Sequence, residues 1–596
     1  MTAQREAVVW IGGAAGDGIA SAGDMWLKTA ARVGLGAFAH NSYQSVIRGG
    51  EVLLQTRVGT FPIHSQGGPW DFLISLDQNV LDLHLKSARP GALALFNSEK
   101  VKAPDGAAAC PVPAGELAGD LAKNPIMQNT ALLGALIFLL RLPPDVFEGT
   151  VRDLFGKKKS EAAEQNVVIA RRGWEYARDH FKPSEHISLA GDGKKRMLLT
   201  GNHAIALGAV AGGCKFYSAY PMTPASSIMH WLAPRAPKYG MLMKQTEDEI
   251  AAVNMAVGAG FAGVRAMTGT SGGGFSLMTE AIGMAGMLEV PVTVALVQRG
   301  GPSTGLPTKT EQADLFQALG ASQGEYPKAV IAPLDVGDAF DASIESLNLA
   351  DKYQMPVILL SDLLLSEHME TVDAERFTNK TPIERGEIVS PVDESYRRYK
   401  DTPSGVSPRV FPGTPGGMHI AASDEHDERG DLISDVFSNP TTRVKMMEKR
   451  ARKMEGVRKD VKGLVFEGPR EADVTLVGWG STYPILKEVR GILEAEGRSV
   501  NHVQFRTMWP FPAEEALKVL SHTRIAVVVE NNQGGLFGRL LRQETGLVLP
   551  YRVRKFDGEP FSPEPLAAAV RNCLAPGGPP VQTLVSSELD IPGRHS

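Results

Sequence analysis

An acidic cluster stands directly before a run of small, apolar, helix-forming residues near the middle of the chain. Glu247, Asp248 and Glu249 belong to this cluster, and the helix-like run continues to Gly258. A strand-like segment and a glycine-rich turn, residues 269–274, follow at once. A carboxylate at the head of a buried helix can contact a ligand that lodges between two domains. The chemistry that this pattern favours is proton sharing with a bound heterocyclic ring.

Thiamine pyrophosphate is a cofactor that needs such a carboxylate, because a glutamate must share a proton with its aminopyrimidine ring before the thiazolium carbon can lose its own. Its diphosphate also needs Mg²⁺, which takes oxygen ligands from a Gly-Asp-Gly triplet and from asparagines about 25 to 30 residues downstream. Two such triplets occur, at residues 16–18 and 191–193, but no Asn-Asn pair follows either at that distance, and Asn41 stands alone after the first. We therefore predict no metal site on this chain and expect another chain to bind the diphosphate and Mg²⁺.

A sharp strand-to-helix turn, Tyr220-Pro221-Met222-Thr223-Pro224, precedes the acidic cluster. Prolines fix φ around Thr223, and Pro224 suits the first position of a helix. Thr223 could cap that helix. Its hydroxyl could instead face a carboxylate in the crevice beyond the strand end, where α/β sheets usually bind ligands. From the turn alone, the helix cap is the favoured interpretation.

An apolar strand, predicted over residues 292–298, ends at Arg299 and leads into a loop rich in Gly, Ser and Thr. Arginine is nearly always charged, and its planar fork matches a carboxylate. An arginine at the carboxyl end of a buried strand is therefore a candidate anion site. The alternative is a structural salt bridge with Asp314 or Glu311.

Length and composition are those of a multidomain globular protein. With 596 residues, of which 43% are hydrophobic and 22% charged, three or four domains are expected. The net charge of -5 gives no general field for nucleic acid or an anionic membrane, so neither partner is expected. The three cysteines are too few and too scattered for an iron–sulfur cluster or a redox pair. The absence of a signal-peptide pattern and of a long apolar run predicts a cytoplasmic protein without a membrane span.

Strand-like and helix-like segments alternate along most of the chain, which predicts an α/β fold with several mainly parallel sheets. Composition divides the chain into residues 1–185, 195–385, 386–470 and 471–596. The third segment is rich in Pro, Gly, Ser and Asp and is interpreted as a long ordered connector, with a solvated helix over residues 445–459 rather than a nucleic-acid arm. Strands are predicted over residues 7–11, 72–76, 92–96, 215–219, 264–268, 292–298, 357–360, 473–480, 501–505 and 525–529.

Four motifs together resemble those of the 2-oxoacid:ferredoxin oxidoreductase family. They are the turn YPMTPASS, the E-x-E helix start, the turn TGTSGGG and the stretch QRGGPSTGLPTKTEQADL. The resemblance is specifically to the α subunit of the 2-oxoglutarate enzyme, in the form in which a γ domain is fused ahead of α, and it covers nearly the whole chain. It implies a γ-type domain over residues 1–185, a pyrimidine-binding domain over 195–385, the connector over 386–470 and a transketolase carboxyl-terminal-like domain over 471–596.

The family reaction converts a 2-oxoacid, coenzyme A and oxidised ferredoxin into acyl-CoA, CO₂ and reduced ferredoxin, and it can run in reverse. By resemblance, Glu249 rather than Glu247 is the glutamate that faces the aminopyrimidine. Thr223 is implied to contact the substrate and Arg299 to bind its carboxylate. The other residues implied by the resemblance are Tyr220 and Pro221 for cofactor binding, and Ser303, Thr304 and Lys309 for a loop that contacts the substrate or CoA.

Because the chain lacks ligands for a cluster, the resemblance implies a β subunit that carries a [4Fe-4S] cluster, the diphosphate and Mg²⁺. Ferredoxin and a dimer of heterodimers are implied as well. The substrate stays open between 2-oxoglutarate, which the fused layout and the GPSTGLPT stretch favour, and pyruvate or a branched-chain oxoacid. A distal carboxylate would need a second cation, which is either Lys309 or a residue of the partner.

Two other classes of protein remain as alternatives. One is a non-catalytic scaffold, which an intact set of Glu249, Thr223 and Arg299 argues against. The other is a thiamine-dependent enzyme complete in one chain, which the missing diphosphate motif argues against. The preferred direction of the reaction and the CoA contacts do not follow from the sequence.

Overall fold

The computed structural model describes residues 4–43, 50–102, 108–156, 160–378, 381–433 and 439–586. Within them the chain forms three β-sheets with helices packed on their faces. The strands, in chain order, are β1 (Glu6–Ala14), β2 (Gly36–Tyr43), β3 (Glu51–Gly59), β4 (Trp70–Ser75), β5 (Ala88–Asn97), β6 (Ala109–Val112), β7 (Met197–Thr200), β8 (Phe216–Ala219), β9 (Leu242–Gln245), β10 (Ala266–Thr270), β11 (Val292–Gln298), β12 (Ala329–Ile331), β13 (Pro356–Asp362), β14 (Met369–Val372), β15 (Leu464–Glu467), β16 (Val474–Trp479), β17 (Val500–Phe505), β18 (Thr507–Trp509), β19 (Ala526–Glu530), β20 (Tyr551–Lys555) and β21 (Val581–Leu584).

The α-helices lie between these strands and alternate with them over most of the chain. In chain order they are α1 (Ile19–Val33), α2 (Gln78–His84), α3 (Ala114–Ala118), α4 (Asn129–Leu139), α5 (Pro144–Phe155), α6 (Ser160–His180), α7 (Gly201–Ala211), α8 (Ser226–Leu232), α9 (Glu249–Phe261), α10 (Gly272–Met287), α11 (Leu315–Gly320), α12 (Val336–Tyr353), α13 (Leu363–Glu367), α14 (Pro440–Asp460), α15 (Tyr483–Ala495), α16 (Ala513–Leu520), α17 (Leu536–Thr545) and α18 (Pro563–Leu574). The predicted α/β fold class is confirmed.

The first sheet is mixed. Its order is β6-β5-β4-β1-β3-β2-β14-β7, and β1 pairs parallel with β4 but antiparallel with β3. The antiparallel pair of β2 and β3 is absent from the predicted strands. The last two strands of the first sheet, β14 and β7, come from the chain segment that follows residue 195. The first and second chain segments are therefore joined through one continuous sheet.

The second sheet has the order β18-β12-β13-β11-β10-β8-β9, and all its neighbours pair in parallel except β12 with β18. Strands β11 and β13 are buried along their whole length. They read as near-continuous apolar runs because helices cover both faces of such a sheet. The third sheet has the order β15-β17-β16-β19-β20-β21. Strand β18 directly follows β17 in the chain but pairs with β12 of the second sheet, so it links the two sheets.

The connector ends in helix α14, which is where the helix over residues 445–459 was predicted. The prediction of a solvated helix is wrong on one face, because Lys449 and Lys453 are fully buried. Both ammonium groups lie 2.5 Å from the carboxylate of Glu289, which is also fully buried. Burial alone would raise the pKa of Glu289, but the two lysines hold it well below its ordinary value. These ion pairs fix helix α14 of the connector to the turn between α10 and β11.

No described helix is both long enough and apolar enough to cross a bilayer. Within the same residues, no three His, Cys, Asp or Glu side chains come together in a way that could hold a metal ion. The three cysteines are all buried and unpaired.

Candidate active site

The predicted site residues meet at the carboxyl ends of four neighbouring strands of the second sheet. Strands β11, β10, β8 and β9 are adjacent and parallel. Arg299 follows β11, the glycine-rich turn follows β10, Thr223 follows β8 and Glu249 follows β9. Ligands of open α/β sheets bind in the crevice outside the carboxyl ends of the strands. The fold therefore gathers segments that are up to about eighty residues apart in sequence into one crevice.

Glu249 is the first residue of α9, and Asp248 caps this helix by accepting a hydrogen bond from the Ala251 amide at 2.7 Å. Only 3% of Glu249 is exposed, whereas Glu247 is exposed to solvent. The Oε1 atom of Glu249 is buried without a hydrogen-bond partner among the described residues. A buried carboxylate oxygen without a partner is costly, so this atom is suited to a donor that comes from a ligand.

The glycine-rich turn allows this carboxylate to approach the start of α10. A Cβ on Gly274 would clash with Oγ1 of Thr270 and lie 2.6 Å from Oε1 of Glu249, so a larger residue would displace both side chains. At Gly273, by contrast, a Cβ would meet nothing within 4 Å. Ser271, at the N-cap of α10, has a fully buried hydroxyl that makes no hydrogen bond with any described residue. The start of α10 therefore has open space beside Gly273 and a buried carboxylate, that of Glu249, beside Gly274. A flat ring could lie against this surface.

Thr223 and Arg299 are in direct contact. Nη1 of Arg299 donates a hydrogen bond to the backbone carbonyl of Thr223 at 2.7 Å. Helix α8 begins at Ser226 with Ala225 at its N-cap, so the interpretation of Thr223 as a helix cap is wrong, as is Pro224 at the first helical position. The turn continues beyond both residues before the helix starts, which leaves the Thr223 hydroxyl without a hydrogen-bond partner among the described residues.

Arg299 forms no ion pair with the described carboxylates, so the salt bridge with Asp314 or Glu311 is not found within the described part of the chain. Burial lowers the pKa of Arg299 from its ordinary value, and the nearby charge of Asp314 opposes this shift. The guanidinium stays charged, since arginine is effectively always protonated in proteins. It keeps donors available for an anion.

The loop after Arg299 divides into an exposed tip and a fixed base. Ser303 and Thr304 are exposed at the tip. At the base, Lys309 forms an ion pair with Glu559 of the third sheet's domain and donates to Ser42 Oγ at 2.9 Å. Lys309 is thus held by two other parts of the chain, and Ser303 and Thr304 belong to the exposed stretch of the loop, residues 301–306. Burial would raise the pKa of Glu559, but His40 and Lys309 lower it to about 2.

Tyr220 and Pro221 lie on the rim of the crevice. Both are exposed, and they precede Thr223 in the same turn. Two side chains on the neighbouring segments were not singled out from the sequence. Tyr217 and Ser271 have buried hydroxyls without partners among the described residues. Their only signal in the sequence is their position near the ends of two strands, which does not distinguish them from ordinary core hydroxyls.

Comparison with known proteins identifies the class of this site. The family model described as "Pyruvate flavodoxin/ferredoxin oxidoreductase, thiamine diP-bdg" matches residues 207–449 and so includes all four strand ends. Two further models match the flanking segments: "Pyruvate ferredoxin/flavodoxin oxidoreductase" at residues 8–176 and "Pyruvate:ferredoxin oxidoreductase core domain II" at residues 472–553. Residues 207–449, which include most of the second sheet, are thus a thiamine-pyrophosphate-binding domain.

Two similar proteins and one solved structure identify the family to which the chain belongs. The chain is 31% identical to the 2-oxoacid:ferredoxin oxidoreductase 2 α subunit of Aeropyrum pernix, over 95% of this chain and 97% of that one. It is 31% identical to the 2-oxoglutarate oxidoreductase subunit KorA of Mycobacterium tuberculosis, over 95% and 91% of the two chains. The 2-oxoglutarate:ferredoxin oxidoreductase structure of Magnetococcus marinus, which has 2-oxoglutarate, coenzyme A and succinyl-CoA bound, superposes with a TM-score of 0.88 at 33% identity, over 96% of this chain and 100% of that one. The chain belongs to the 2-oxoacid:ferredoxin oxidoreductase family, as an α subunit with the γ domain fused ahead of it.

Proposed function

We propose that this chain is the α subunit of a thiamine pyrophosphate-dependent 2-oxoglutarate:ferredoxin oxidoreductase. The enzyme would interconvert 2-oxoglutarate, CoA and oxidised ferredoxin with succinyl-CoA, CO₂ and reduced ferredoxin. The observation that carries the proposal is the buried, unpartnered Oε1 atom of Glu249, which lies against a side-chain-free helix start. Together with the contact between Arg299 and Thr223, it offers a proton partner and an anion-binding group at one end of the sheet.

The crevice residues fit the aminopyrimidine half of thiamine pyrophosphate. Glu249 would hold a proton at a ring nitrogen, and the exposed pair Tyr220 and Pro221 would cover the ring from the rim. When bound, the cofactor supplies an electron sink for decarboxylation. Arg299 would orient the carboxylate of the oxoacid through a charge-assisted hydrogen bond, and the free hydroxyl of Thr223 would contact the same group.

The partner would be a β subunit that supplies the diphosphate site, Mg²⁺ and a [4Fe-4S] cluster. Helices α9 and α10, next to the crevice, expose several large apolar side chains to solvent, which supports a protein partner there. These side chains, with their exposed fractions, are Ile250 (49%), Met255 (43%), Phe261 (37%) and Leu277 (51%). A β subunit on these side chains would close the crevice over Glu249. Ferredoxin would then accept electrons from the β subunit, in a dimer of heterodimers.

The first experiment tests this division of labour between subunits. We expect the chain purified alone to contain no iron and to bind thiamine pyrophosphate weakly, because its three cysteines are buried and separate and no Gly-Asp-Gly triplet is completed by an Asn-Asn pair. Iron analysis and calorimetric titration with thiamine pyrophosphate and Mg²⁺ provide the measurement. The co-expressed complex with its β subunit is the control and should contain both. A stoichiometric cluster in the isolated chain would contradict the proposal.

The second experiment tests the substrate. The second carboxylate of 2-oxoglutarate needs a cation, and Lys309 is already paired with Glu559. We therefore expect that cation to come from the β subunit. In competition among 2-oxoglutarate, pyruvate and 2-oxoisovalerate, the complex should have the highest kcat/KM for 2-oxoglutarate. A higher kcat/KM for pyruvate would contradict 2-oxoglutarate as the substrate, but it would remain consistent with the reaction of the family. Lys309→Ala should not change the order of the three kcat/KM values, since Lys309 is bound to Glu559 and Ser42 rather than to the substrate.

A further inference from the structure

Two further carboxylates lie beside the candidate active site, and the proposed function assigns neither of them a role. Glu311 and Asp314 belong to the segment between the loop of residues 300–309 and helix α11. Both are half-buried. Oε2 of Glu311 lies 3.4 Å from the position that a Cβ on Gly300 would take, and Gly300 is the residue that follows Arg299. The first carboxylate thus lies against the backbone next to the proposed anion-binding group.

The second carboxylate, that of Asp314, lies against Gly272 at the start of α10, in the space that a Cβ would fill. The backbone N–H of Asp314 donates to Oε1 of Gln298 at 2.9 Å, and Gln298 is the last residue of β11. This bond fixes the segment to the strand that carries Arg299. Both carboxylates are therefore held at the strand end where the oxoacid carboxylate is proposed to bind.

The charges at this strand end do not balance. Neither Glu311 nor Asp314 forms an ion pair or a side-chain hydrogen bond with another described residue. Asp314 is the charged group that faces Glu311, and Arg299 is the charged group that faces Asp314. Lys309 in the adjoining loop is directed to Glu559 instead. One guanidinium and two carboxylates thus lie at the strand end where a third carboxylate, that of the substrate, would have to enter.

The electrostatic consequence is that the two carboxyls together hold a proton near neutral pH. Burial raises the pKa of Glu311 to about 7, and the charge of Asp314 acts in the same direction. Burial also raises the pKa of Asp314 to about 6, against the opposing influence of Arg299. Two interacting carboxyls titrate as a pair rather than as independent groups. Near neutral pH, the pair therefore carries a proton for a substantial part of the time.

We propose that Glu311 and Asp314 are positioning residues, and that one of the two must be protonated for the oxoacid carboxylate to bind at Arg299. The inference rests on the proposed function, since it takes Arg299 as the group that binds the oxoacid. The proton removes one negative charge from the path of the incoming anion. It also leaves the Arg299 guanidinium to the substrate, because a protonated carboxyl competes weakly for it.

The direction of the pH dependence follows from these pKa values. The oxoacid binds best where the pair is protonated, and its affinity falls as pH rises through about 7, the pKa of Glu311. One linked proton allows KM to rise by at most about tenfold per pH unit above that point. The substrate carboxylates are ionised throughout this range, so the dependence belongs to the protein.

The test is the oxoacid KM of the assembled complex, measured from about pH 6 to about pH 8.5 with CoA and ferredoxin saturating. One linked proton with a pKa of about 7 predicts a rise of roughly thirtyfold over this range in the wild type. Glu311→Gln and Asp314→Asn each remove one of the two interacting carboxyls and leave the other without its charged neighbour. Each should flatten the profile and give a lower KM than the wild type at the alkaline end. Glu325→Gln removes an exposed carboxylate beyond α11 and should keep the wild-type slope. A wild-type slope in Glu311→Gln would overturn the inference.

Calorimetry on the wild-type complex gives a second readout that does not depend on turnover or on the folding of a variant. A 2-hydroxyacid analogue, which carries the same carboxylates but no oxo group, is titrated at pH 7 in two buffers of different ionisation enthalpy. Proton uptake on binding supports the inference. An active complex that binds the analogue without proton uptake contradicts the inference alone. Proton uptake in a complex that reduces no ferredoxin supports the inference for the site and contradicts the proposed function.

Discussion

Replacing Glu249 by glutamine is expected to lower turnover of the assembled complex by about 10²–10⁴, the usual contribution of a positioned proton-transfer group. Glutamine keeps the shape of the side chain and one hydrogen bond, but it cannot hold the proton of the aminopyrimidine ring. Because the diphosphate and Mg²⁺ are expected on the β subunit, thiamine pyrophosphate should still bind. The Oε1 atom that now lacks a partner is the atom whose chemistry the substitution changes.

The decisive measurement for this variant is the exchange of the thiazolium proton in deuterated buffer. Glu249→Gln should slow that exchange, while Glu247→Gln, two residues earlier and exposed to solvent, should leave it at the wild-type rate. Circular dichroism and size-exclusion chromatography should show that both complexes assemble. If Glu247→Gln slows the exchange and Glu249→Gln does not, the assignment of the carboxylate is wrong.

Replacing Arg299 by alanine is expected to weaken oxoacid binding roughly ten- to a hundredfold. A charge-assisted hydrogen bond to the substrate carboxylate contributes about 1.5–3 kcal/mol, and about 1.4 kcal/mol corresponds to each factor of ten. Steady-state kinetics with varied oxoacid provide the measurement, and the KM for ferredoxin should not change. Arg299→Lys should recover part of the loss, because it keeps the charge but not the planar fork.

The matched control for this substitution is Arg235→Ala. Arg235 is an exposed arginine of the same domain that stacks on Trp231 at 4.4 Å and donates to its backbone carbonyl. Its removal should leave the oxoacid KM unchanged. An unchanged oxoacid KM and kcat/KM in Arg299→Ala would show that Arg299 only supports the Thr223 turn.

Much of the fold and part of the site could be predicted from local patterns. The segments predicted over residues 7–11, 72–76, 292–298 and 501–505 lie on β1, β4, β11 and β17, because buried parallel strands read as short apolar runs. The strands β2 and β3 were missed. Strand β2 contains Gly, Ala, Asn and Ser, which have low β-propensity, and antiparallel pairing stabilises it instead.

The sequence by itself determined which residues stand at the ends of strands and helices. Glu249 at the head of α9 and Arg299 at the end of β11 follow from hydrophobic periodicity, which is a local property of the chain. The glycine-rich turn over residues 269–274, which lets the Glu249 carboxylate lie close to the start of α10, can also be identified from the sequence. These local features by themselves indicate the class of chemistry.

Only the tertiary structure decided which of these ends meet. The order β11-β10-β8-β9 differs from the order in the chain, and strand order depends on how helices cross over the sheet rather than on any local pattern. The same long-range packing turned Lys309 toward Glu559, 250 residues away, and buried Lys449 and Lys453 around Glu289. It also placed Glu311 and Asp314 beside Arg299. A residue's exposure and its charged neighbours, which set its pKa, are products of the complete fold and cannot be read from its sequence context.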